Sequence, residues 1–226
     1  MMNKLNLRSM KAAGSFVFFA MISALAMANS VVNGDVEAGL AGWKVTEELG
    51  SSVVPSASAQ SPFSSGAQGL AFTDASEPGN PGTPNAFVAV GIAKDGQYRL
   101  SFDYCMQSIQ VGTWTLRVYN NGVNSASFAC TFGGSTFQLN GFAAKLLAKN
   151  LAPMTWYHVE MTLDTVNKKF INASITPHGG TATTVAEWAG YDVTASGIKS
   201  IAVVDVSPTT VASPIYLDNV TIVEVQ

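Results

Sequence analysis

The sequence predicts an all-β chain, a two-sheet antiparallel β-sandwich with at most one short helix. Three observations predict it. Apolar and polar residues alternate along several short runs, Gly, Ser, Pro and Asn turns separate those runs, and a sustained helical period is hard to find.

The runs themselves are explicit. Tyr98, Leu100, Phe102 and Tyr104 share one face of the first, leaving Arg99, Ser101 and Asp103 on the other. In Thr113–Tyr119 the apolar set is Trp114, Leu116 and Val118, opposite Thr115, Arg117 and Tyr119. In Trp156–Asp164 it is Tyr157, Val159, Met161 and Leu163, opposite Trp156, His158, Glu160 and Thr162. Thr165-Val166-Asn167 then reads as a hairpin turn into Lys168–Thr176. Ile198–Val206 and Ile215–Val225 are apolar enough for strands inside a sandwich. The Pro/Gly-dense stretch Ala75–Asn85 reads as a surface loop. Asn140–Lys149 (NGFAAKLLAK) is rich in helix formers and is the one place for a short helix.

Residues 1–28 differ from the rest. Lys4, Arg8 and Lys11 precede an uncharged apolar stretch from Ala12 to Ala28, which ends in the small-residue pattern Ala26-Met27-Ala28. This is the layout of a cleavable signal peptide. A retained span is the competing reading, since about 17 apolar residues approach the minimum for crossing a bilayer. Cleavage leaves residues 29–226 as one domain, secreted, held at the cell surface or kept in a bacterial periplasm, with no later membrane span. Charged residues are 12% of the chain, against about 25% in an average soluble protein. A net charge of −3, with no basic run after residue 11, argues against nucleic acid as a partner. Cys105 and Cys130 are the only cysteines. In an oxidising compartment they form either one disulfide or two buried thiols.

Two ends of the exported part carry paired motifs. Val32-Asn33-Gly34-Asp35-Val36-Glu37-Ala38-Gly39, followed by Gly42-Trp43, opens it, and Ile215-Tyr216-Leu217-Asp218-Asn219-Val220-Thr221-Ile222 closes it. Together they resemble bacterial jelly-roll carbohydrate-binding modules, with Val36 where Phe is usual. The central Trp156-Tyr157-His158-Val159-Glu160-Met161-Thr162-Leu163-Asp164 and its hairpin resemble the concanavalin A-like (laminin-G-like) sandwiches of exported bacterial proteins. Ser61-Pro62-Phe63 and Gly69-Leu70-Ala71-Phe72-Thr73-Asp74 fit the same type. The concanavalin A-like version is favoured, and both resemblances imply a two-sheet jelly roll. The carbohydrate-binding modules hold a structural calcium where first and last strands pair. The resemblance therefore implies an ion at Asp35, Glu37 and Asp218, the competing reading being a capped turn and a carboxylate bound to amides.

Sugar recognition needs flat rings for the C–H face of a pyranose and planar polar groups for its hydroxyls. The polar strand faces supply a candidate set: Trp156, His158, Glu160, Arg99, Asp103, Arg117 and Tyr119. Trp188, near Tyr191, is an alternative contact in a loop-like stretch. For catalysis, Asp103 and Glu160 are the one carboxylate pair worth naming. The E-x-D-x-x-E arrangement of concanavalin A-type glycosidases is missing, and no G-x-S-x-G elbow is present. The reading is a secreted, non-catalytic, lectin-like module with a glycan as partner. The alternative is a structural or adhesive surface protein that self-associates, with a polysaccharide hydrolase or lyase behind it.

Overall fold

Alternation along each strand puts one row of side chains into a shared interior, and two sheets are the result. The computed structural model describes residues 29, 31–47, 50–74, 84–90, 92, 94–108, 113–119, 126–133, 135–140, 145–185, 191–192, 198–205 and 214–225. A seven-stranded sheet runs in the order β1 (Trp43–Thr46), β4 (Asn85–Ala89), β14 (Ser200–Asp205), β6 (Thr113–Tyr119), β7 (Ala126–Gly133), β8 (Thr136–Asn140), β9 (Lys145–Lys149). The second sheet runs β12 (Thr183–Val185), β11 (Lys169–Pro177), β10 (Trp156–Asp164), β5 (Gln97–Met106), β15 (Ile215–Glu224), β3 (Gly69–Thr73), β2 (Ser52–Ser56). Its eighth strand, β13 (Tyr191–Asp192), also pairs with β11. Every strand pairing is antiparallel. The only helical element among the described residues is a single 3-10 turn, Ala57–Ala59, capped by the Ser56 side chain.

The core lies between the sheets. Leu70, Phe72, Phe102, Tyr104, Met161 and Leu217 enter it from the eight-stranded sheet, and Val88, Trp114, Leu116, Phe137 and Ile201 from the other. Aromatic contacts cross the interface: Phe72 meets Trp114 edge-on at 5.5 Å, and Tyr104 stacks on Phe137 at 5.7 Å. Each such ring is worth about 3–5 kcal/mol against truncation to Ala. The predicted inward sets on β5, β6 and β10 are all buried here, as the period of two requires.

The β10–β11 hairpin also forms as predicted. Asp164 accepts from the Asn167 backbone N–H and side-chain amide, both at 2.8 Å, and Lys168 takes a left-handed φ of 55°. Over the described part of the expected helix, Asn140 and Lys145–Lys149, the chain is strand instead. Residues Lys145–Lys149 are strand β9, with Leu147 buried and Leu146 49% exposed. Pairing with β8 supplies the backbone partners that a helix would have supplied, so tertiary context outweighs local propensity. The expected signal peptide, residues 1–28, lies outside the described residues.

The paired end motifs form a clasp. Asn33 donates from its amide to the carbonyls of Gly39 (2.8 Å) and Ala41 (3.0 Å), and accepts from the Ala38 N–H. Trp43 Nε1 donates to the Asn33 carbonyl at 2.9 Å. Gly34 accepts from the Val220 N–H at 2.9 Å, and a Cβ on Gly34 would stand 1.8 Å from the Val220 oxygen. Only glycine lets these two backbones approach so closely.

Candidate functional site

The outer face of the eight-stranded sheet carries most of the predicted polar residues. Register aligns Trp156, Cys105 and Tyr216 in one row across β10, β5 and β15, and His158, Asp103 and Asp218 in the next. The segment 57–68 lies over both rows. Ala59 packs with Ala71, Cys105 and Tyr216, and Trp156 stacks on Tyr216 at 6.2 Å. Phe63 covers His158, with ring centroids 5.6 Å apart, and meets His178 edge-on at 5.4 Å.

Beneath this cover the polar atoms are tied to one another. Buried Asp103 accepts from Ser61 Oγ (2.6 Å), His158 Nδ1 (2.6 Å) and the Asn219 amide (2.6 Å). Asn219 reaches back because its left-handed φ of 52° sits at the β-bulge between Asp218 and Thr221. Hydrogen bonding to Asp103 raises the His158 pKa, against the opposing effect of burial. The aspartate stands between serine and histidine, so the imidazole is not placed to activate Ser61, which is itself buried. Glu160 lies beyond the cover and meets Arg99 at 3.7 Å, both side chains being well exposed. Asp103 and Glu160 therefore belong to separate surroundings, one buried and one in solvent.

The acids considered for calcium are bound elsewhere. Glu37 Oε1 accepts from the N–H groups of Ala67 (2.7 Å) and Gln68 (3.2 Å). Buried Asp218 accepts from the N–H groups of Ser61 (2.9 Å) and Asn219 (2.7 Å). Its carboxyl is pushed up to about 7, first by burial and then by the charges of Asp103 and Glu37, against those two amides. Asp35 is exposed, and among the described residues no three ligating side chains stand close enough to hold an ion. In this arrangement the carboxylates of Glu37 and Asp218 accept from backbone amides. The Cys105–Cys130 bridge is corrected too. Cys105 is a free, buried thiol on the outer side of β5, whereas Cys130 lies on β7 of the opposite sheet. Alternation determines which way a cysteine points but not which sheet its partner joins. Trp188 lies outside the described residues.

The other two predicted ligand residues, Arg117 and Tyr119, are on the seven-stranded sheet. There a pocket of about 530 Å³ opens on the outer face, lined by Lys44, Thr46, Asn85, Phe87, Arg117, Tyr119 and Ala202. Register explains its shape. Lys44, Phe87, Ala202 and Arg117 form one row across β1, β4, β14 and β6. Ala202 is the low point, with Phe87 and Arg117 one strand away on either side, so the floor is about 10 Å wide. Thr115 accepts from Arg117 Nε at 3.1 Å and holds the guanidinium in place. Lys44, Asn85 and Phe87 were not anticipated from sequence. The signal was present in Asn85–Ala89, where Ala86 and Val88 are buried and Phe87 is not.

No protein-family model matches the chain, and no curated protein matches it. Solved structures do. The chain is similar to a sialidase with a TM-score of 0.58 and 14% identity, over 88% of this chain and 19% of that one. It thus spans about a fifth of that protein's length. It is similar to an endo-β-1,4-glucuronan lyase from the fungus Trichoderma reesei (TM-score 0.56, 14% identity, 82% of this chain and 92% of that). The lectin UEA-II, complexed with galactose, gives 0.53 at 9% identity over 81% and 92%. The fold is a two-sheet jelly-roll sandwich of the kind these structures share. At these identities the likeness is one of fold, and the pocket on the seven-stranded sheet is an open cavity among the described residues.

Proposed function

We propose that the chain is a secreted, non-catalytic carbohydrate-binding β-sandwich whose glycan site is the pocket on the seven-stranded sheet. One observation carries this reading. Beside the low floor at Ala202 stands the partly exposed ring of Phe87, with Arg117, Lys44 and Asn85 around it and Tyr119 buried at the edge. A ring that covers a sugar C–H face is thus set among planar and cationic groups that bind hydroxyls. Among the described lining residues there is no carboxylate or imidazole, the groups that glycoside hydrolysis draws on. The galactose-bound lectin of the same fold supports the reading, and the basic, apolar start of the chain supports export. No helix among the described residues is long and apolar enough to cross a membrane.

A glycan array with the mature chain tests it, with Phe87→Ala and Trp156→Ala side by side. Binding that is lost in Phe87→Ala and kept in Trp156→Ala supports the pocket. Loss in Trp156→Ala alone returns the site to the eight-stranded sheet. No binding, with concentration-dependent assembly, replaces the reading by a structural role. Release of shorter products from any polysaccharide replaces binding by catalysis.

A further inference from the structure

The charge of the pocket is opposite to that of the chain around it. The protein carries 12 Lys and Arg against 15 Asp and Glu, yet the described residues that line the pocket include two cations and no acid. Among the described residues ion pairs join Lys94 to Glu224, Arg99 to Glu160, and His158 to Asp103. Lys44 and Arg117 take part in none of these ion pairs. Arg117 is half-buried and oriented through its Nε by Thr115, and its two terminal nitrogens make no hydrogen bond to any described residue. A guanidinium fixed at Nε presents those nitrogens as a planar fork, the geometry that grips a carboxylate through two parallel hydrogen bonds. Partial burial strengthens such a contact, because the local dielectric is below that of water.

Resting on the glycan reading of this pocket, we infer that it selects acidic glycans, with a uronate carboxylate held by Arg117 and a second one met by Lys44. The two cations end the same cross-strand row, with Phe87 and Ala202 between them. Three strand spacings put their backbones about 14 Å apart, longer than one sugar ring. A polymer laid across the strands thus stacks one ring on Phe87 and presents acids to both ends. Neutral chains fill the same floor without engaging either cation.

Titration calorimetry of the mature chain decides this with oligogalacturonate and oligoglucuronate, each beside its carboxyl-reduced counterpart. The acidic member of a pair binds at least about tenfold tighter than the reduced one, and the preference shrinks as salt rises. Arg117→Gln removes most of that preference, Arg117→Lys restores only part, and Lys44→Gln, at an exposed position, lowers it without touching the fold. Circular dichroism confirms that each variant is folded. If both members of a pair bind equally and Phe87→Ala abolishes both, the carboxylate inference is overturned while the glycan site stands. If no member binds, the carboxylate inference is overturned, and the glycan reading stands or falls on the array.

Discussion

Asp103 and Asp218 face each other in register on β5 and β15, and Ser61 donates to both, through Oγ to Asp103 at 2.6 Å and through its N–H to Asp218 at 2.9 Å. Two buried carboxylates are thereby tied to one residue of the covering segment.

The pH dependence of stability follows from the signs. Asp218 is raised from 3.8 to about 7, so between those values the folded state keeps a proton that the unfolded state releases. Stability is therefore lost as pH rises across that window. His158, raised above 6.5, adds stability that is present below 6.5 and lost as pH passes its folded value. The two act in the same direction, and Tm falls from about pH 5 to about pH 8. Asp218→Asn flattens the profile. A Tm that climbs over this range would falsify the assignment.

Gly34→Ala tests the clasp between the ends. Its Cβ would stand 1.8 Å from the Val220 carbonyl oxygen, in backbone that has no flexible end to move aside. The expected loss is more than about 3 kcal/mol in denaturant unfolding, in the range of severe steric substitutions. A loss below about 1 kcal/mol would mean that the two termini separate at little cost.

Cys105 is predicted to be inert. Burial pushes its thiol up to about 11, so almost no thiolate exists at neutral pH. Iodoacetamide leaves it unmodified in the native protein and labels it after unfolding, as peptide mass spectrometry reads directly. Rapid native labelling, or a recovered Cys105–Cys130 linked peptide, contradicts the structure.

Glu160→Gln should do very little. The carboxylate meets Arg99 at 3.7 Å with both side chains open to solvent, a kind of pair worth about 0.2–1 kcal/mol. Glycan affinity stays unchanged, because β10 is in the sheet opposite the pocket. A large loss of binding in this variant shifts the site to the β10 face.

Lys168→Gly is expected to stabilise the β10–β11 hairpin. Lys168 holds a left-handed φ of 55°, which costs an L-residue about 1 kcal/mol and costs glycine little. Part of the gain is offset by the entropy glycine loses on folding. The measurement is the denaturation midpoint at constant m, and a lower midpoint counts against the turn geometry.

Alternation and spacing alone were enough to place the strands and their inward faces. Tyr98, Leu100, Phe102 and Tyr104 had to point one way because side chains alternate with a period of two, and a slip of one residue would expose them all. The hairpin after Asp164 and the paired end motifs were legible for a similar reason, since their bonds are set by short spacings or by a Gly at a close approach. What lies over an outward face is a different matter. Trp156 and Arg117 both alternate outward, yet one sits beside Tyr216 under the 57–68 segment and the other borders an open pocket. Only the tertiary structure decided between them, because cover and curvature come from segments far away in sequence. The same limit explains Lys145–Lys149, whose strand depends on β8, and the cysteines, which alternation could orient but not assign to a common sheet.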